Sequence, residues 1–372
     1  MGWPVLTLSE ICSSVFAGGD VPKDRLSKFR TAEFTVPIYS NGEKNKGLYG
    51  FTDIARVTEP SITVSARGTI GYSEVRFEPF LPVVRLIVLT PNLELVELEY
   101  LKYVIQSMDF KNSGSSIPQL TVPMIKDYSC EIPPISEQKR IVAILDKAFA
   151  DIEQARAKTE QNLKNARELF ESYLQKVFSK RGEGWEDSTL NIVAENLDSK
   201  RVPITKKDRI EGEYPYYGAS GIVDYVDDYL FNEELLLVSE DGANLLARTY
   251  PIAFSASGRY WVNNHAHVLK FKDRNTQKFI EYYLNSISLA PYVSGMAQPK
   301  LNQRALNSIP VPKVTELIAG DVVSKLEVLE NEINQVFKLY KSKLDSLDEL
   351  KKSILQKAFS GELTKEKEGA VA

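Results

Sequence analysis

Ile132-Pro133-Pro134-Ile135-Ser136-Glu137-Gln138-Lys139-Arg140-Ile141-Val142 is the stretch on which the reading of this 372-residue chain turns. The prolines mark a boundary, and a helical pattern begins directly after them. From Ser136 to Ser179 there is neither proline nor glycine. Apolar or small residues recur there at steps of four and three, at Ile141, Leu145, Ala148, Ile152 and Ala155, then Ala166, Leu169 and Tyr173. That spacing is a heptad seam. Roughly 44 residues at about 1.5 Å each give a rod about 65 Å long, too long for an ordinary globular helix and in need of a partner. Polar Thr159 and Asn162 interrupt the seam, where they can set register.

The partner is found by working outward from the boundary, because the chain uses one plan twice. A second proline-marked boundary, Ile309-Pro310-Val311-Pro312, opens a second helical stretch with Val322, Leu326, Leu329, Ile333, Val336 and Tyr340, then, after a one-step shift, Leu344, Leu347 and Ile354. The two helices end alike, in Leu174-Gln175-Lys176-Val177-Phe178-Ser179 and Leu355-Gln356-Lys357-Ala358-Phe359-Ser360. Upstream, at an offset near 180, Gly2-Trp3 with Thr7-Leu8 recurs as Gly184-Trp185 with Thr189-Leu190, and Val36-Pro37-Ile38-Tyr39 as Tyr214-Pro215-Tyr216-Tyr217. Ile62-Thr63-Val64-Ser65-Ala66-Arg67-Gly68 parallels Leu236-Leu237-Val238-Ser239-Glu240-Asp241-Gly242, and Ile117-Pro118-Gln119-Leu120-Thr121 parallels Gln298-Pro299-Lys300-Leu301-Asn302. A duplication that keeps only packing is the plainer alternative for the repeat, and two separate amphipathic helices, each lying on its own domain, the plainer one for the seam. The length of the helices argues against the second.

The order implies five segments: domains at 1–134 and 182–312, long helices at 135–181 and 313–363, and a tail at 364–372. The domains read as mixed α/β, with β-rich runs such as Leu81 to Thr90, Leu235 to Ser239 and Ala266 to Phe271. Turn-forming loops lie between the runs, including residues 40–47 and 218–221, and polar loops on a rigid scaffold are where binding usually sits.

Composition narrows the function. A hydrophobic content of 43% in a chain of this length supports two or three packed domains. No run of about 18 or more apolar residues occurs, and the first residues lack a signal-peptide pattern, so a cytoplasmic protein is expected. Two cysteines, Cys12 and Cys130, make neither a disulfide framework nor a four-thiolate zinc site, and read as core residues. The net charge of −4 disfavours a protein that coats DNA non-specifically but leaves room for a groove reader. Residues 135–181 hold ten Lys and Arg against seven Asp and Glu, while 182–312 hold thirteen against seventeen, so the positive excess sits in one helical segment. There is no Gly-x-x-x-x-Gly-Lys-Ser/Thr loop, no Gly-x-Gly-x-x-Gly turn, and no Asn/Asp-Pro-Pro-Tyr/Phe motif of the adenine methyltransferases. Ile132-Pro133-Pro134-Ile135 lacks both the amide and the ring of that motif.

The doubled domain–helix order, the stretch from Ile132 to Val142 and the stretch Leu355-Gln356-Lys357-Ala358-Phe359-Ser360-Gly361-Glu362-Leu363 resemble the specificity subunits of type I restriction-modification systems. The likeness covers essentially the whole chain. One departure is plain: where the family has a second Glu-Gln-x-x-Ile element after Pro312, this chain has Val314-Thr315-Glu316-Leu317-Ile318. The resemblance implies two α/β target-recognition domains, each followed by a long helix, the helices pairing as an antiparallel coiled coil. It implies a non-catalytic reader of double-stranded DNA in which each domain takes one half of a bipartite site. The paired helices would fix the gap and dock two methyltransferase subunits, with restriction subunits as further partners and no membrane. The chain would be required for methylation and restriction alike. It would carry no cofactor itself, the partner methyltransferase using S-adenosylmethionine. Two other readings stay open, a free-standing nuclease or methyltransferase and a coiled-coil adaptor without DNA affinity.

Base reading needs forked groups, and phosphate contact needs Lys, Arg, hydroxyls or amides. On that ground the candidates are Asn41, Lys44, Asn45, Lys46, Arg67, Thr69, Gln119 and Thr121 in the first half. In the second they are Lys206, Lys207 (with Arg209 beside them), Ser220, Asn244, Arg248, Arg259, Lys300, Asn302 and Gln303. Arg67 and Asn244 rank first, each being in a Gly-containing turn after a matched β run. Ile141, Leu145, Ile152, Leu169, Leu326, Ile333, Val336 and Leu347 are the candidates for the coiled coil and the methyltransferase dock. His265-Ala266-His267 places two histidines on one strand face, but no third ligand of that kind accompanies them, so no metal is expected.

Overall fold

The computed structural model describes residues 3–110, 119–295 and 297–363. Gly2, Ile117 and Pro118 of the repeat, and the tail 364–372, lie outside the described residues. The chain forms two compact units, and the division runs through the long helices. One unit takes the chain up to Thr159 together with the stretch from Ser342 onward; the other is Glu160–Lys341.

In the first unit an antiparallel four-stranded sheet runs in the order Cys12–Ala17, Ile87–Pro91, Ser61–Val64, Ser73–Arg76. A smaller sheet sets Val36–Tyr39 between Leu48–Thr52 and Leu81–Pro82, the second pairing being parallel. Helix Leu98–Ser107 packs on the larger sheet with a buried face of Tyr100, Leu101, Val104 and Ile105, the three-to-four spacing of an amphipathic helix. The second unit repeats this order: Ala194–Asn196, Ala266–Phe271, Leu235–Ser239, Ala253–Ala256 in one sheet, and Gly221–Val226, Tyr214–Gly218, Arg259–Val262, Phe231–Asn232 in the other. Leu235–Ser239 is buried throughout, as its unbroken apolar run demands of a central strand.

Each domain is closed by a short ribbon. Val5–Thr7 pairs with Ser129–Glu131, and Glu186–Thr189 with Pro310–Lys313, so chain entry and exit lie side by side at the start of each long helix. The second helix therefore begins at Glu316, not at 313, because Lys313 is the last residue of a paired strand. The first spans Ile135–Lys180. The run Leu81 to Thr90 is also two strands in two sheets rather than one. Val84 and Arg85 turn between them at φ of 54° and 60°, a left-handed step with no glycine or asparagine to announce it.

Both helices are walls of the domain cores. In the first unit Ile141, Leu145, Phe149 and Ile152 share one buried cluster with Leu355 and Ala358. Glu153 pairs with Lys351 at 3.7 Å and Arg156 with Asp348, an antiparallel register. In the second unit Leu174 and Phe178 share a cluster with Ala319, Val323 and Leu326. Two helices each lying on a separate domain are thereby excluded within each unit.

The seam follows the expected heptads only at first. Leu169 is 63% exposed and Tyr173 is exposed as well, while Phe170, Leu174 and Phe178 turn inward. A straight α-helix drifts about 20° per heptad against a 3.5-residue repeat. Over the more than four heptads from Ile141 this adds up to about one residue, which moves the seam from Leu169 to Phe170. Ile333 and Leu326 are buried, and Val336 and Leu347 half-buried.

Gln138 explains why the stretch after Pro134 reads as it does. Fully buried, its amide nitrogen donates to the carbonyls of Leu95 (3.0 Å) and Pro133 (2.7 Å), and its oxygen accepts from the Glu97 amide (2.7 Å). In the first turn of the second helix the buried residue is Ala319, and Leu317 is exposed. Cys12 and Cys130 are half-buried free thiols packed against the first core, and burial pushes them up to about 12 and about 11.

Candidate nucleic-acid interface

In the first unit three loops meet around the backbone of Ala66. The Asn41 side chain donates to the Val84 carbonyl at 2.6 Å and accepts from the Ala66 amide at 2.7 Å. The Gly42 amide donates to the Ser65 hydroxyl at 2.9 Å, and the Leu120 amide to the Ala66 carbonyl at 2.9 Å. Arg67 is exposed and lies across Gln119, donating from Nε (3.2 Å) and Nη2 (2.8 Å) to the one side-chain oxygen. The sequence candidates are thus brought together, but in different roles. Asn41 is the staple of the loop, with its amide already engaged. Lys44, Asn45, Lys46 and Thr69 are exposed, and Asn45 and Lys46 hold left-handed φ of 50° and 53°. Lys46 also reaches Glu74 at 3.7 Å. Thr121 precedes helix Val122–Lys126 without a side-chain capping bond.

The second unit assembles the same three loops with different chemistry. The Leu301 amide donates to the Glu240 carbonyl at 2.7 Å, the counterpart of the Leu120–Ala66 bond, and the Gly242 amide to the Pro299 carbonyl at 3.0 Å. The Ser239 hydroxyl donates to the Ala219 carbonyl, tying the tip that carries exposed Ser220. Lys300 is exposed and 3.3 Å from Glu240. Asn302 caps helix Gln303–Asn307 through the Ala305 amide, and Gln303 donates to Asn196 at 2.7 Å.

Other candidates fall elsewhere. Asn244 opens a one-turn helix, and its amide closes on both the N–H and the carbonyl of Tyr250 (3.0 and 3.1 Å), so its readout groups are spent on the loop itself. Arg248 turns inward, donating to the carbonyls of Leu284 and Asn285 at the end of helix Arg274–Ser286. Arg259 stacks over Tyr229 at the strand end remote from the 218–221 tip. Lys206 and Lys207 are exposed on a separate turn, while the neighbouring Arg209 is drawn onto Asp224 at 2.9 Å and the Tyr216 ring at 4.4 Å.

The two histidines do not share a face. His265 precedes its strand and contacts Asp241 at 2.7 Å near the surface, whereas His267 is fully buried. His267 Nδ1 lies 2.6 Å from Asp198, and Nε2 lies 2.7 Å from the Leu301 carbonyl. The Leu301 carbonyl can only accept, so Nε2 is the donor there. Asp198, Glu240 and His267 are the one group of three potential metal-ligating side chains that comes together among the described residues. Arg201 already occupies the cationic place: Nη1 is 2.7 Å from Glu240 and Nη2 is 3.4 Å from Asp198. The cluster is a closed ion network that pins Leu301 and Lys300 to the sheet. Sequence reasoning passed over it because Asp198, Arg201, Glu240 and His267 come from three separate segments. The paired Ser65 and Ser239, both buried at the loop junctions, were legible in the repeat as a Val-Ser match.

Comparison with known proteins places this architecture. The sequence matches the family described as "Type I restriction modification DNA specificity domain" over residues 1–163 and again over 182–338, once per half. A Haemophilus influenzae protein named as a type I restriction enzyme specificity subunit is 33% identical over 167 residues, 45% of this chain and 41% of that protein. A Mycoplasma pneumoniae type I specificity subunit is 39% identical over 143 residues, 38% of this chain and 42% of that protein. The chain thus matches about two-fifths of the length of these relatives. Among solved structures, a chain from a study of type I R-M complex assembly and conformational transition superposes with a TM-score of 0.75 at 16% identity, over 97% of this chain and 98% of that one. The HsdS subunit of Thermoanaerobacter tengcongensis gives 0.55 at 18% identity, over 97% of each chain. Those two likenesses bear on the fold, which is shared. With both halves matched by the same family description, the chain belongs to the type I restriction modification DNA specificity family.

Proposed function

We propose that this chain is the DNA-reading subunit of a type I restriction-modification complex, non-catalytic itself, with each sheet-rich domain reading one half of a bipartite site. The observation that carries the reading is the doubled loop junction, Asn41–Ser65–Ala66–Leu120 in one domain and Ala219–Ser239–Glu240–Leu301 in the other. Two rigid platforms of one design, with different exposed polar groups on each, are what two different half-sites require. Arg67, Thr69 and Lys44–Lys46 are the foremost contacts in the first domain, and Ser220, Lys300 and Gln303 in the second. Domain boundaries follow the closing ribbons, and the two long helices set the gap between half-sites, as dimer geometry sets spacing elsewhere.

The helices also dock two methyltransferase subunits, which supply S-adenosylmethionine chemistry; restriction subunits complete the complex. The buried seam residues Ile141, Leu145, Ile152, Leu326 and Ile333 hold the helix pair and are unavailable to a partner. Leu169, Val328 and Leu339, exposed on the second unit's helical stretches, supply the apolar contact. The complex works in the cytoplasm; among the described residues no helix is long and apolar enough to cross a membrane.

The test is co-expression with the neighbouring methyltransferase and mapping of adenine methylation across the host genome by long-read sequencing. Methylation at a motif of two half-sites with a fixed non-specific gap is the expected result. Co-purification without any methylated motif leaves an adaptor, and failure to associate removes the proposal. Deleting one heptad from each helix changes the tolerated gap and leaves the half-sites as they were; an unaltered gap refutes the spacer role.

A further inference from the structure

Each half contains a hairpin whose strands pair in the same irregular register. In the first, Val36 pairs with Thr52, Pro37 with Phe51 and Ile38 with Gly50; the register then slips, and Tyr39 pairs with Leu48. In the second, Tyr214 pairs with Val226, Pro215 with Tyr225 and Tyr216 with Asp224; the register slips at the same step, and Tyr217 pairs with Ile222. The residue left unpaired is Tyr49 in one copy and Val223 in the other. A bulge re-aims a side chain, and one retained at the same step in two diverged copies is a built feature. Both extra residues are large, apolar and exposed, Tyr49 to 48% and Val223 to 54%. Exposed aliphatic and aromatic side chains are otherwise disfavoured on an edge strand, which proteins blunt with charge.

The bulges adjoin the candidate contact loops. Tyr49 follows Lys44, Asn45 and Lys46 by three to five residues on the same hairpin, and the backbone of Lys46 is fixed by Arg76 donating to its carbonyl at 2.5 Å. Val223 lies against the hairpin tip, where a Cβ on Gly218 would come within 2.9 Å of its Cγ1. That tip is bound to Ser239 at the loop junction. The major groove offers one apolar group on its base edges, the thymine methyl.

We propose that Tyr49 and Val223 are specificity-determining residues, each making apolar contact with the methyl group of a thymine in the half-site its domain reads. This rests on the reading of the two domains as DNA-binding. The different sizes of the two side chains, at one structural position, then give the two domains different preferences.

The test uses the chain in complex with its methyltransferase partner and duplexes carrying the motif found by methylation mapping. Deoxyuridine replaces thymine one position at a time, which removes the methyl and keeps the hydrogen-bonding edge. The wild-type complex loses about three- to tenfold in methylation rate at one position in each half-site, the scale of one buried methyl contact. Tyr49→Ala shows that loss on ordinary DNA and no further loss with deoxyuridine in one half-site only; Val223→Ala does the same in the other; Tyr49→Phe keeps the wild-type response. Half-sites without thymine, wild-type rates indifferent to deoxyuridine, or alanine variants that still respond to it would each overturn the proposal while leaving the DNA-reading function intact. If wild type methylates no bipartite motif, the reading of the domains itself fails, and the two failures are told apart before any variant is made.

Discussion

The two domains solve one packing problem in opposite ways. Cross-strand pairing makes Ile87 in the first the counterpart of His267 in the second, since Ile87 pairs with Val64 and His267 with Val238, and the sequence repeat matches Ala66 with Glu240. One site is apolar throughout. The other buries two carboxylates and an imidazole hydrogen-bonded through both nitrogens, with Arg201 between the carboxylates. Burial of a complete ion network nearly breaks even against apolar filling, whereas removing one member leaves an uncompensated charge. One fold therefore tolerates both. The network also ties the Leu301 carbonyl and the Lys300 ammonium to the sheet, while the matching loop of the first domain is held by the Leu120 amide and the Arg67–Gln119 contact.

The sharpest way to break this comparison is His267→Ile alone, which installs the residue of the first domain and leaves Asp198 and Glu240 buried with the imidazole gone from between them. We expect a loss of about 3–5 kcal/mol in the second unit, read by urea unfolding through Trp185 and Trp261. Changing Asp198→Ala, Arg201→Ala, Glu240→Ala and His267→Ile together should cost less than the single change. A quadruple variant weaker than the single one would show that the sites are not equivalent.

A somewhat smaller effect separates the two candidate seams of the first long helix. Leu174→Ala, in the second core, should cost about 2–4 kcal/mol, and exposed Leu169→Ala within about 0.5 kcal/mol. Equal losses would restore the heptad reading.

Acid titration comes next. Burial pushes the Asp198 carboxyl up, but the His267 hydrogen bond and charge, the Val268 amide and Arg201 together outweigh it and hold the group below its ordinary value of 3.8. A depressed carboxylate stabilises the fold above its unfolded value. That contribution is lost as the pH falls below about 3.8 and through the lowered native value. The second unit should lose stability there and Asp198→Asn should flatten the loss, measured by denaturant midpoints at stepped pH. A slope unchanged by the substitution would remove Asp198 as its source.

The smallest effect belongs to the exposed pair of the first domain: Gln119→Ala should change stability by less than about 0.5 kcal/mol, seen as an unmoved melting curve. A larger loss would make that contact as structural as the network opposite it.

Much of this was legible in the chain itself. The proline boundaries, the proline- and glycine-free helices and the Val-Ser match placed the elements and their doubling, since each is a local backbone preference or a periodic pattern. The candidate contacts were legible as residue types but not as roles. Asn244 and Arg67 look alike in the sequence, yet Asn244 closes on Tyr250 and Arg67 is exposed, because hydrogen-bond partners are chosen by loop geometry.

What the sequence determined alone was periodicity, repetition and composition, properties of neighbours along the chain. What only the tertiary structure decided was which side of a long helix faces inward after several turns of drift, and that two stretches more than 200 residues apart complete one core, as Ile141 and Leu355 do. It also decided that Asp198, Arg201, Glu240 and His267 meet as a closed set of charges. Those outcomes depend on distances between segments remote in sequence, and a bulge that ejects Tyr49 or Val223 exists only once two strands have paired.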